Sequence, residues 1–155
     1  MELLNEKLVV KEIDMISTKI NNKWIKVKNK IFSKVSRIFA ISIGNKIEVT
    51  LDINTEIYPI HDQDKLDFRI MEVNPNQKNE PNNHKNWIDF FDRKLIELFE
   101  YVMYGTIFHC GIENKKFFFY GSFGGLLLKI FGNSDQIAYK DLKVDSKILL
   151  LIRKI

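Results

Sequence analysis

The sequence is poor in residues that would staple, cradle or anchor it. Cys110 is the one cysteine in 155 residues, so an internal disulfide is excluded. One Cys and three His cannot furnish two tetrahedral zinc sites, and a single site would need carboxylate help. Such cysteine usage fits a reducing compartment. The longest aliphatic run, Ile148 to Ile152, is five residues, against the roughly 20 that span a bilayer. Met1 to Lys7 carry acids where a signal peptide needs bases. These absences lead to the expectation of a soluble, intracellular protein without membrane contact. Only three Pro and seven Gly accompany 45% hydrophobic residues, too apolar a composition for disorder. The length suits one domain and is short for a two-domain cofactor enzyme. A chain of this size buries roughly 68–70% of its unfolded surface and needs no staple.

What is present is unevenly placed. The formal net charge is +4, yet residues 19–37 hold seven bases (Lys19, Lys23, Lys26, Lys28, Lys30, Lys34, Arg37) and no acid. Outside that stretch 17 bases face 20 acids, a net of −3. With Trp24 and Phe32 inside it, this basic hairpin at 19–37 has the composition that tracks phosphates and stacks bases. Lys23, Trp24, Lys26, Lys28 and Lys30 are the candidate nucleic-acid contacts. The bland alternative is a solvated edge whose lysines discourage aggregation.

Most of the periodicity is that of strands. From Lys46 to Ile53 every odd position is apolar and every even one polar, as in a half-buried antiparallel strand. Gly44-Asn45 before it reads as a hairpin turn. Leu66, Phe68 and Ile70 alternate with Asp67, Arg69 and Met71. Further strands fit residues 7–14, 32–43, 101–112, 116–123, 125–131 and 147–154, with turns at Asn114-Lys115 and within Gly121 to Gly125. The sum is an antiparallel eight-stranded barrel or sandwich in a mainly β chain.

Two places break this pattern. Residues 74–86 hold six Asn and two Pro and no large apolar residue, which predicts a mobile surface loop. Trp87, Phe90, Phe91, Leu95, Leu98 and Phe99 then recur at helical spacing, and Asn86 can cap them. A short helix is expected at 87–98, covering one face or end of the sheet.

Catalytic chemistry is sought without success. Gly121-Ser122-Phe123-Gly124-Gly125 is followed by a strand-like run and not by the helix a phosphate cradle needs. Counting a calcium loop from Asp62 puts Asp67 and Val73 where glycine and a bidentate acid belong. His109 and Cys110 are neighbours and face opposite sides of a strand. Asp52, Glu56, Asp89, Asp92, Glu97 and Glu100 could pair as acid and base, but strand alternation and neighbouring bases point to solvated carboxylates. No catalytic set, cofactor site or metal site is legible.

Five strings carry a resemblance. Lys34-Val35-Ser36-Arg37, Leu51 to Ile60 (LDINTEIYPI), Phe99 to Gly105 (FEYVMYG), Ser122 to Leu127 (SFGGLL) and Val144 to Lys154 (VDSKILLLIRK) occur in this order. They resemble segments of the eighth subunit of eukaryotic nuclear RNA polymerases, the small subunit common to polymerases I, II and III. The resemblance implies a single barrel domain, 1–155, that includes an oligonucleotide-binding-type (OB) fold. It implies a non-catalytic, nuclear subunit docked on the largest subunit near the pore and funnel, with no homo-oligomer. Residues 20–31 depart from the family as a longer, more basic first hairpin. The loop at 74–86 is Asn-rich where the family is often acid-rich, so no role of an acidic loop carries over.

Glycines that admit a partner backbone and aromatics that anchor it then mark a docking patch. Its candidates are Tyr104, Gly105, Tyr120, Gly121, Phe123, Gly124, Gly125, Leu126 and Leu127. On this reading Phe123→Asp weakens polymerase association and leaves the barrel folded. The second reading is a free-standing single-strand nucleic-acid binder that uses the basic hairpin.

Overall fold

The computed structural model of the chain describes residues 2–30, 33–73, 93–133 and 142–155. Phe32, the Asn-rich segment 74–86 and residues 87–92 of the expected helix lie outside these. The strands are β1 (Glu2–Ile13), β2 (Met15–Ile20), β3 (Lys23–Lys28), β4 (Val35–Ser42), β5 (Ile47–Asn54), β6 (Lys65–Val73), β7 (Tyr101–Glu113), β8 (Lys116–Phe123), β9 (Leu126–Asn133) and β10 (Lys147–Lys154). The helix α1 is Arg93–Glu97. Eight strands close a barrel in the order β1-β4-β5-β9-β8-β7-β10-β6, with β6 returning to β1 and every neighbour antiparallel. β2 and β3 form a separate two-stranded ribbon.

Local chemistry accounts for the turns. Gly44 and Asn45 take φ of 114° and 57°, and the Ser42 hydroxyl accepts the Lys46 and Ile47 N–H groups at 3.0 Å each. Asn114 and Lys115 (φ 51° and 62°) join β7 to β8, and Asn21 and Asn22 (φ 52° and 63°) join β2 to β3. Paired positive φ values at two central residues suit the twist of a tight hairpin. The β8–β9 turn is narrower than the glycine-rich string suggests. It rests on Gly124 and Gly125, while Gly121 to Phe123 continue β8.

Alternation places Ile47, Val49, Leu51 and Ile53 of β5 inside the barrel with Leu66, Phe68 and Ile70 of β6. β10 differs, because Ile148 to Ile152 are all fully buried. Ile148, Leu150 and Ile152 enter the main core. Leu149 and Leu151 point outward into a second small core with Phe99, against which Leu95 and Ile96 of α1 pack.

The polar row of β6 is not solvated throughout. Asp67 has no exposure, and Lys7 and Arg153 approach its carboxylate at 3.1 and 3.0 Å, with Arg69 at 3.5 Å. Arg69 and Arg153 both lie over the Phe99 ring, at 5.2 and 5.1 Å. Closure brings Lys7 in from β1 and Arg153 from β10, which single-strand alternation does not reveal. Burial pushes the Asp67 carboxyl up, but the hydrogen bonds from Lys7 and Arg153 and the nearby charges outweigh it and hold the group below its ordinary value.

A folded pKa depressed in this way contributes stability that is full above the unfolded value and is lost as pH falls through the folded one. The denaturation midpoint should therefore drop below about pH 4, and by less in Asp67→Asn. Asp67→Ala, which leaves the three bases without their counter-charge, should cost about 3 kcal/mol in chemical denaturation at neutral pH.

Candidate interaction surfaces

Strand polarity brings three candidate features to one end of the barrel. The ribbon leaves from β1 and returns to β4 there, the 55–62 segment follows β5, and the Gly124-Gly125 turn joins β8 to β9. Two polar networks tie this end together.

In the first, Arg37 of β4 donates to Asp52 of β5 through Nε (2.7 Å to Oδ1) and Nη2 (3.1 Å to Oδ2). Asp52 Oδ2 also accepts the Leu127 N–H at 3.1 Å. Asp52 is 8% exposed. The solvated carboxylate expected from alternation is thus a structural acceptor, because β4 and β9 flank β5 and cover it. The hydrogen bond to Asp52 raises the Arg37 pKa, so the guanidinium stays charged. Ser122 Oγ accepts the Gly125 N–H at 3.3 Å, fixing the other side of the turn.

In the second, the Tyr58 hydroxyl donates to Glu100 Oε1 at 2.7 Å, and the Lys154 N–H donates to the same oxygen at 2.6 Å. Tyr58 stacks on Tyr101 at 5.3 Å, and Tyr101 Oη accepts the Asn54 N–H at 3.2 Å. Burial first, then the bond to Glu100, raises the Tyr58 pKa, while the Tyr58 bond lowers that of Glu100. Glu56 pairs with Lys34 at 3.5 Å. Asp52, Glu56 and Glu100 are therefore held by separate partners, while Asp89 and Asp92 lie outside the described residues.

The candidate docking residues divide between two sides of the wall. Gly105, Gly121 and Phe123 are buried, and Leu126 packs against the core. Phe123 is 5% exposed, and its ring so crowds Gly105 that a Cβ there would lie 2.9 Å from its Cε1. Phe123→Asp would thus bury a charge, and the expectation that the barrel survives it does not hold. Tyr104, Tyr120 and Leu127 face outward, with the exposed Gly124-Gly125 turn between strands.

The ribbon has two unlike faces. Opposed pairs share a face, so Ile16/Val27, Thr18/Ile25 and Ile20/Lys23 make an apolar one, and Met15/Lys28, Ser17/Lys26 and Lys19/Trp24 a basic one. Trp24 is 72% exposed. Trp24, Lys26 and Lys28 come together as the sequence suggests. Lys26 is also paired with Glu12, Lys23 lies on the other face, and Lys30 donates to Ser36 Oγ at 3.1 Å beyond the ribbon.

His109 and Cys110 do face opposite sides, His109 against Phe118 and Tyr120, Cys110 against the core. No group of three or more metal-binding side chains occurs among the described residues. What the sequence reading missed is aromatic: Phe108, His109, Phe118, Tyr120 and Phe131 share the outer face of β7–β9. The signal was the unbroken run Phe117 to Tyr120, since four consecutive rings on a strand must load both of its faces.

Comparison with known proteins adds the family. A model described as RNA polymerase Rpb8 matches residues 19–154. The chain belongs to the Rpb8 family. The DNA-directed RNA polymerases I, II, and III subunit RPABC3 of Saccharomyces cerevisiae is 33% identical over 129 residues, covering 79% of this chain and 87% of the relative. The probable RPABC3 subunit of Caenorhabditis briggsae is 31% identical over 130 residues, covering 81% and 85%. A solved structure of the molybdate-binding protein ModG overlaps at a TM-score of 0.33 with 8% identity, over 96% of this chain and 89% of that one, a likeness too low to carry any argument. The strings that resemble Rpb8 segments are the ones the two networks join. Lys34 to Arg37, Leu51 to Ile60 and Ser122 to Leu127 meet at Asp52. Leu51 to Ile60, Phe99 to Gly105 and Val144 to Lys154 meet at Glu100.

Asp52→Asn should weaken the tie between Arg37 and the β9 entry at a cost of about 1–3 kcal/mol. Amide exchange read residue by residue should show Leu127 N–H exchanging at least ~10-fold faster, a factor equivalent to about 1.4 kcal/mol, with Ile130 unaffected. Unchanged protection at Leu127 would show that Asp52 does not hold the turn.

Proposed function

We propose that this Rpb8-family chain is a non-catalytic common subunit of DNA-directed RNA polymerases I, II and III. On this reading it acts in the nucleus and docks on the largest subunit near the pore and funnel. The family match over residues 19–154 carries the reading. The docking patch is the Tyr104–Gly105, Tyr120–Gly121 and Phe123–Leu127 set. Tyr104, Tyr120, Gly124, Gly125 and Leu127 make contact, while Gly105, Gly121, Phe123 and Leu126 shape the wall behind them. Leu127 supports this, because it is 43% exposed on a backbone that Asp52 pins in place. An apolar side chain on a rigid, pre-ordered turn loses little entropy on binding.

A second reading has the ribbon contacting single-stranded nucleic acid through Lys23, Trp24, Lys26, Lys28 and Lys30. The exposed Trp24 between lysines on one face favours it.

The tagged chain, isolated from its own cells with nuclease at moderate salt, should elute in a particle containing the polymerase large subunits. Leu127→Asp should lower that recovery ~10-fold or more while the melting temperature of the purified chain stays near wild type, as for an exposed position. Full recovery with Leu127→Asp would remove the patch. A free chain that loses its companions on nuclease treatment would favour the ribbon reading instead.

A further inference from the structure

The wall formed by β1, β6 and β10 carries an arginine that the fold leaves without an acceptor. Register sets Asp67 opposite Lys7 on one side and Arg153 on the other, and Arg69 shares their outer face. These residues face outward because the alternate positions Leu66, Phe68 and Ile70 fill the core. Arg153 donates to Asp67 Oδ2 at 3.0 Å, and Lys7 pairs with Oδ1 at 3.1 Å. Arg69 Nε stops 3.5 Å short of the same Oδ1, and both of these buried atoms lack a hydrogen bond. Among the described residues the Arg69 side chain has one further contact, the Phe99 ring 5.2 Å from its guanidinium carbon. Arg153 lies over the same ring at 5.1 Å. Such an unmatched donor costs free energy unless something outside the chain supplies its acceptor.

Charge decides which occupant fits. Asp67 is fully buried, while the side chains of Lys7, Arg69 and Arg153 keep 46%, 21% and 35% of their exposure. Three cations thus face one carboxylate. Glu100 stands near but is held by Tyr58 and the Lys154 N–H, and the charge of Lys154 offsets it. Stacking on Phe99 restrains both guanidinium groups, so little freedom is lost when their N–H groups grip a planar carboxylate. What adjoins the cations sets the rest of the occupant. Leu98 is 59% exposed, and its carbonyl accepts Arg153 Nη1 at 3.4 Å. Phe99 is 9% exposed and covered by guanidinium groups, so it offers no face to a nucleobase. An acid with an aliphatic neighbour is polypeptide chemistry.

We propose that this notch receives an acidic side chain from a protein partner, with an aliphatic neighbour of that acid packed on Leu98. Arg69 and Arg153 hold the carboxylate through their N–H groups, and Lys7 adds charge from β1. β6 lies across the barrel from β9, with three strands between them in either direction. The partner therefore meets the wall opposite Leu127, and both surfaces are open at once. The notch is separate from the docking patch and from the basic ribbon and does not depend on the polymerase assignment.

The test uses the full chain with isotope-labelled arginine and a capped peptide that repeats Glu-Glu-Leu, with a Gln-Gln-Leu repeat as control. Titration with the acidic peptide should move the Nε–H resonances of Arg69 and Arg153 saturably, and the control should move neither. Arg69→Gln should lower the affinity ~10-fold or more in fluorescence anisotropy of the labelled peptide, since it removes one charge-assisted grip. Its fold should persist by circular dichroism, because Asp67 keeps Lys7 and Arg153. Leu98→Ser should weaken the Glu-Glu-Leu peptide and leave a Glu-Glu-Gly repeat unchanged. The proposal fails if the Arg69 resonance of the wild-type chain does not move, if the Gln peptide binds equally well, or if folded Arg69→Gln binds like wild type. It fails too if Leu98→Ser alters neither peptide. Inorganic phosphate or an oligonucleotide moving Arg69 at the peptide's half-saturating concentration would also overturn it, by making the notch a general anion site. If Arg69→Gln does not fold, the wild-type resonances decide alone.

Discussion

The pairing of β10 with β6 on one side and β7 on the other closes the barrel, and it does so with no exposed side chain from Ile148 to Ile152. Inward residues complete the main core, and outward ones need the cover that Phe99 and α1 supply. Burying five aliphatic side chains at about 1.5–3 kcal/mol each is on the order of 10 kcal/mol, comparable to the net stability of a whole domain. Register matters equally. A slip of one residue would turn Arg153 inward and take it from Asp67, so the buried ion cluster selects the one alignment that the aliphatic run alone leaves open.

The strings that identify the Rpb8 family meet at two acceptors. Asp52 gathers β4, β5 and the β9 entry; Glu100 gathers Tyr58 and the end of β10. Each carboxylate oxygen that serves a backbone N–H converts distant sequence into fixed geometry. Charged acceptors suit this work, since their hydrogen bonds are roughly twice as strong as neutral ones. Much of the family signature therefore describes how one barrel end is held shut. On the proposed reading, the surface that meets the polymerase is a smaller set of outward residues mounted on that frame, Leu127 among them.

Two outward surfaces differ in kind. The ribbon is amphipathic, and isolated two-stranded hairpins are marginal in water, so its apolar face and its basic face present different chemistry on one thin element. The β7–β9 face is backed by the barrel core and has no such freedom. Its rings are held by neighbours on both flanking strands.

Alternation and turn residues by themselves determined the eight barrel strands, the turns at Gly44-Asn45 and Asn114-Lys115, and the β-rich class, because strand period and positive φ are local properties. The ordered strings determined the family. Which side of a strand becomes interior was decided only by closure. Asp67 and Asp52 read as solvent-facing and are buried, since the bases that satisfy them arrive from β1, β10 and β4, far away in the chain. Phe123 reads as an anchor and is core. Phe108, Phe118 and Phe131, spread over three strands, become one surface only when β7, β8 and β9 are laid side by side. Period 2 states which residues share a face; it takes the neighbouring strands to say what that face meets.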